Sequence, residues 1–170
     1  MPDRYLQQIN NLYLKSGQDS TALFQTLLEI ADEIGLDTAL GFLQTCVLHK
    51  REAWILQKQA SFIRTEDPVT DAYRLFYEDY LGLSVPKDGE IIEHTPTRLV
   101  MRWWNECPTL TSCQKFGLDT REICRKVYHA PVQMLFSALG PRLHFDRNYQ
   151  ALRPHTADCE EIISLVEDEH

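Results

Sequence analysis

Apolar residues recur at helical spacing through the first half of the chain and alternate with polar ones in parts of the second. Leu6, Ile9 and Tyr13 line one side of a helix expected over Asp3 to Lys15, which Gly17 ends. Asp19 or Ser20 can cap the next helix, whose face carries Leu23, Leu27, Ile30 and Ile34 and which closes at Gly35. Asp37 is read as the cap of a third, longer helix reaching to about Phe62. Asp67-Pro68 joins a capping carboxylate to a proline whose fixed φ suits the first helical turn. Val69, Ala72, Tyr73, Phe76 and Tyr80 form the stripe of that fourth helix, and Gly82 stops it.

The period changes near Pro86. Lys87-Asp88-Gly89 reads as a turn, and Glu90 to Thr95 and Thr97 to Asn105 as two strands of a hairpin around Thr95-Pro96. In the second strand Leu99, Met101 and Trp103 share one face, and Arg98, Val100, Arg102 and Trp104 share the other. The tandem tryptophans therefore point to opposite sides. Cys107-Pro108 is a helix entry, ended by Gly117. Asp119-Thr120-Arg121-Glu122 resembles a capping box for a helix to about Tyr128, which Pro131 is expected to break or restart before Val132 to Leu139. Leu143 to Gln150 and Cys159 to Val166 complete the strands. The expected fold is α+β: an N-terminal helical layer over 1–85 packed on a small antiparallel sheet within 86–170, with helices inserted between two strand pairs, all in one compact domain.

Composition narrows the function classes. The chain has 170 residues and a formal net charge of −8, which argues against nucleic acid and anionic membrane as partners, since both reward an excess of Lys and Arg. The charge is uneven. From Thr97 to Arg153 nine bases face four acids, while Ala157 to His170 holds six acids and no Lys or Arg. Solvated faces of opposite sign would explain this, and so would a basic cavity for a small anion such as a carboxylate. The start of the chain lacks the apolar run of a secretory signal, so a cytoplasmic location is expected, where five cysteines read as thiols, ligands or nucleophiles rather than as a disulfide framework.

The chemistry-bearing residues concentrate between Trp103 and Cys159. Alternation places Arg147 on the face of Leu143 and Phe145, so it points inward and needs a carboxylate, either from the protein or from a ligand. Glu161 shares a face with Cys159, Ile163 and Leu165 and could be that partner. Cys107, at a strand-to-helix junction, sits where a helix N-terminus favours a thiolate and presents N–H groups to an anion; a capping or core thiol is the plainer alternative. Cys46 and Cys113 read as small buried hydrophobes. His129 and His144 are candidate bases, with His144 facing away from the core by parity. No cysteine spacing is a zinc signature, and no glycine-rich phosphate loop, G-x-S-x-G, H-E-x-x-H or Rossmann fingerprint occurs. A divalent metal held by dispersed ligands stays open.

Cys107-Pro108, Cys124, Pro141-Arg142-Leu143-His144-Phe145-Asp146-Arg147 and Cys159-Glu160-Glu161 together resemble the C-terminal pattern of the L-2-amino-thiazoline-4-carboxylic acid hydrolase family. That pattern runs Cys-Pro, a mid-domain Cys, a P-x-L-x-F-x-R strand, and a late Cys followed by a strand. The resemblance spans residues 97 to 166. It implies hydrolytic opening of a cyclic thiazoline, and it carries over Cys107, Cys124, Arg147 and Cys159. Opening a C–N bond in such a carboxylate needs an anion anchor, a nucleophile or activated water, and an acid for the leaving nitrogen. The expected roles are Cys107, Glu161 and His129 for catalysis, Arg147 and Trp103 for substrate, and Cys107, Cys124 and Cys159 as ligands should a metal be present. The expected partner is a small anionic molecule, with homo-oligomers open. A non-catalytic module for a small ligand or cofactor is the main alternative, and a protein-interaction module is a third.

Overall fold

Helix-forming periodicity and well-placed stop signals produce the helices of the first half. The computed structural model describes residues 2–167. Helices α1 (Pro2–Ser16), α2 (Thr21–Ile34) and α3 (Leu36–Lys58) follow in order, with Gly35 between the last two at a φ of 89° that a side chain would resist. Asp37 falls inside the first turn of α3 instead of capping it, and α3 ends at Lys58, short of Phe62. Ser20 holds the cap position of α2, but its hydroxyl donates to the Pro108 carbonyl at 3.0 Å and pairs with Ser112 at 2.7 Å. Asp19 takes the Thr21 N–H instead.

The Asp67-Pro68 signal starts α4 (Pro68–Tyr73), and the Asp67 carboxylate accepts the Thr70 N–H at 3.1 Å. The helix then widens into a π-helical segment over Arg74–Tyr80, where i→i+5 bonding buries Leu75, Phe76 and Tyr77 in succession. A hairpin follows, β1 (Gly89–Thr95) and β2 (Arg98–Trp103), then α5 (Pro108–Phe116), α6 (Thr120–Ile123) and α7 (His129–Leu139), and finally β3 (Leu143–Arg147) and β4 (Cys159–Leu165). Cys107 and Gly117 bound α5 as expected. Asp119 caps α6 by accepting the Arg121 N–H, while Glu122 pairs with Lys126 and does not complete a capping box. Pro131 does not interrupt α7. In an α-helix its ring would meet the carbonyl of Val127, and Val127 lies in a second π-helical turn, Cys124–Tyr128, whose wider bonding absorbs the missing donor.

The chain is α+β, with α5 to α7 inserted between two strand pairs of one four-stranded antiparallel sheet of order β1-β2-β4-β3. Two compact units are resolved, Met1–Lys50 with Glu106–Pro131, and Arg51–Asn105 with Val132–His170. Each draws on both the 1–85 and the 86–170 parts of the sequence. The core of the first unit gathers Ile9, Phe24, Leu27, Leu40, Leu43, Val47 and Val127, all fully buried. In the second, α4 lies against β2, β3 and β4, and Val69, Leu75, Leu99, Met101, Phe136, Phe145 and Ile163 form the centre. Among the described residues no helix is long and apolar enough to cross a membrane.

Candidate functional site

Strand alternation and pairing build a graded face on the sheet of the second unit. Leu99, Ile163 and Phe145 stand side by side in one row across β2, β4 and β3. Two residues along, Met101, Glu161 and Arg147 form the next row, and beyond it Trp103 pairs with Cys159. The apolar face thus turns polar at one end, and the polar end is buried with it: Glu161 is 8% and Trp103 2% exposed.

Arg147 points inward as its parity with Leu143 and Phe145 requires, and Glu161 is its partner. Arg147 Nη2 stands 3.6 Å from Glu161 Oε1, and the side chains are 9% and 10% exposed. The same oxygen accepts the hydroxyl of Tyr77 at 2.9 Å. Burial pushes the Tyr77 phenol well above its ordinary pKa, helped by the negative charge of Glu161 and its hydrogen bond, while Arg147 acts the other way. Tyr77 therefore stays a neutral donor. Its ring stacks on Trp103 at 4.9 Å, and Tyr73 stacks on Trp103 at 6.3 Å. At the rim of the patch, Arg153 Nε donates to Cys159 Sγ at 3.2 Å, and its Nη1 donates to the Asn105 carbonyl at 2.6 Å.

Four of the residues singled out from sequence, Trp103, Arg147, Cys159 and Glu161, lie on this one face. Tyr77 and Arg153 join them without having been singled out. Tyr77 lies off the α-helical stripe of Val69, Ala72, Tyr73, Phe76 and Tyr80 and is turned inward by the π-helical segment. Arg153 carried no sequence signal, because it lies in the loop between β3 and β4.

The other three candidates belong to the first unit. Cys107 is the cap residue of α5 and half-buried, and its carbonyl accepts the Thr111 N–H and hydroxyl. Cys124 begins the second π-helical turn and His129 opens α7 directly after it. Among the described residues no group of three or more His, Cys, Asp and Glu is arranged to hold a metal ion, so Cys107, Cys124 and Cys159 do not form the ligand set considered for them.

None of the five cysteines is in a disulfide. Cys46 and Cys113 are buried, and burial raises both thiol pKa values. Cys113 is pushed up to about 12, first by burial and then by the neighbouring Cys124 and Cys107. His144 is exposed, as its parity requires.

Fold and site together define an α+β chain whose sheet ends in a buried patch of mixed charge: an ion pair, a phenol, an indole and a thiol held by a guanidinium. Comparison with protein-family models, curated proteins and solved structures finds no match.

Proposed function

We propose that the second unit binds a small carboxylate-bearing molecule at this patch, and that the chain hydrolyses a cyclic C–N bond in it, as in a thiazoline carboxylate. The supporting observation is the buried Tyr77–Glu161–Arg147 constellation with the Cys159 thiol two residues from Glu161 on the same face. These groups supply the parts the reaction needs. Arg147 and Arg153 offer positive charge for the carboxylate. Glu161 can take a proton from water, and Tyr77, kept neutral, holds Glu161 in place and can donate. Cys159, on the same sheet face as Glu161, is the nucleophile of this reading. A cytoplasmic location suits five cysteines outside any disulfide.

Incubating the purified protein with L-2-amino-thiazoline-4-carboxylate tests the activity. Ring opening adds one water and frees a primary amine, read by mass and by an amine reagent. Turnover that Glu161→Gln abolishes supports the reading. Binding without turnover selects the non-catalytic ligand module. Neither binding nor turnover overturns both.

A further inference from the structure

Four of the five cysteines belong to the first unit, and the path of the chain sets two of them opposite each other. On α5, Thr109, Ser112, Cys113 and Phe116 stand at helical spacing, and the first three are buried. Two contacts orient this face. Ser112 pairs with Ser20 at the start of α2, and Thr109 donates its hydroxyl to the Tyr128 hydroxyl at 3.0 Å. Cys113 lies one turn after Thr109, so it looks the same way, toward the π-helical turn Cys124–Tyr128. Gly117, at a φ of 68°, then ends α5, and the Leu118 N–H returns to the Cys113 carbonyl at 2.9 Å. The chain reverses and re-enters a helix at Thr120. Cys124 precedes Tyr128 by four residues, close to one turn of the π-helical segment. Thr109 opposite Tyr128 therefore puts Cys113 opposite Cys124, and Gly117 opposite Thr120 at the turn itself. Cys113, Ile123 and Val127 share one buried core, which closes the two segments on each other.

The electrostatics agree with this register. Burial pushes the Cys113 thiol up to about 12, and Cys124 adds to the rise more than Cys107 does. Cys107 stands six residues before Cys113, off the line of Thr109 and Cys113 on α5. Cys113 is 1% exposed, whereas Cys124 is half-buried, so Cys124 is the thiol of the pair that meets a solute first. A reachable thiol backed by a buried one can attack a disulfide and then be resolved from behind.

We propose that Cys124 and Cys113 form a reversible thiol switch that reacts with a small disulfide, such as glutathione disulfide, to make a bond across this helical hairpin. The Cys124 thiolate attacks one sulfur of the small disulfide RSSR. That S–S bond breaks, and the departing RS⁻ takes up the proton that Cys124 gave up. Cys113 then attacks Cys124 Sγ in the mixed disulfide, expels the second RS⁻ and passes its own proton to it. Two cysteines are oxidised, and RSSR is reduced to two RSH. The bond closes a loop over residues 113–124 and ties α5 to the second π-helical turn. It concerns the first unit alone and does not depend on the carboxylate patch of the second.

The purified full chain is incubated near neutral pH with glutathione disulfide, alkylated and cut with trypsin. Cys124 falls in the peptide 122–125, and Cys107 and Cys113 both fall in 103–115, so fragmentation of the linked pair names the second cysteine. The expected product carries a Cys113–Cys124 bond, weighs about 2 Da less than the reduced chain, and returns fully to it with dithiothreitol. Cys124→Ala is expected to leave Cys113 unoxidised, Cys113→Ala to stop with glutathione held on Cys124, and Cys107→Ala to leave the bond intact. Circular dichroism checks that each variant folds, and the peptide map of the parent chain decides the pairing without any of them. Amide exchange read by mass is expected to slow over residues 108–128 in the oxidised chain. A Cys107–Cys124 bond, a lasting mixed disulfide on Cys124 of the parent, a bond that forms only in urea, or no reaction at all overturns the pairing. A Cys113–Cys124 bond with unchanged amide exchange overturns the switch.

Discussion

Gly89→Ala is a severe test of how the sheet holds Trp103. The added methyl would lie 2.4 Å from the backbone carbonyl oxygen of Arg102 and 2.5 Å from Trp103 Cε3. Neither neighbour can yield by a rotamer change: the first is main chain in β2, and the second is a ring stacked with Tyr77 and Tyr73 in the core. Relief requires the end of β1 to move off β2 or the indole to shift out of its stack. Overpacking of this kind costs about 1–3 kcal/mol, and a midpoint of about 2 kcal/mol lowers Tm by roughly 4–8 °C at this chain length. The control is Gly41→Ala in the exposed interior of α3, where a Cβ meets nothing within 4 Å. There the methyl should raise stability by about 0.5–1 kcal/mol, because alanine loses less backbone freedom on helix formation than glycine. Urea unfolding followed by tryptophan fluorescence and far-ultraviolet circular dichroism compares the two. Opposite signs are expected. A Gly89→Ala variant within about 0.5 kcal/mol of the parent would refute the close packing of β1 on Trp103.

Two further outcomes follow from buried charge and burial. Arg147→Met or Glu161→Leu alone should cost about 3–5 kcal/mol, since each leaves one charge buried without its counterpart, whereas the double variant should recover most of the loss. Denaturation midpoints that simply add would show the pair to be uncoupled. Cys113 makes the fold alkali-sensitive: its thiol rises from 9.0 to about 12 on folding, so the unfolded state releases the proton first. The contribution is complete below about pH 8.5 and disappears as pH climbs to about 12, at up to ~1.4 kcal/mol per unit. Melting curves across that range should flatten in Cys113→Ala, and an unchanged alkaline slope would contradict the assignment.

The local chemistry of this protein was legible in its sequence. Asp67-Pro68 and the Cys107-Pro108 to Gly117 span depend on neighbouring residues, and both helices start or stop where those residues place them. Alternation alone turned Arg147 inward with Leu143 and Phe145, put Glu161 on the face of Ile163, and separated Trp103 from Trp104, which are 2% and 43% exposed. What alternation could not supply is which strand lies beside which. The order β1-β2-β4-β3 joins strands some sixty residues apart, and that pairing alone sets Trp103 against Cys159 and Glu161 between Met101 and Arg147. The same holds for Tyr77, delivered to Glu161 by a π-helical widening that has no short-range signature, and for Gly89, whose need for a missing Cβ arises only once Trp103 is its partner. Backbone propensity acts over a few residues, while the site is made by contacts across the sheet. The sequence by itself therefore determined which residue types face inward, and the tertiary structure decided which of them meet.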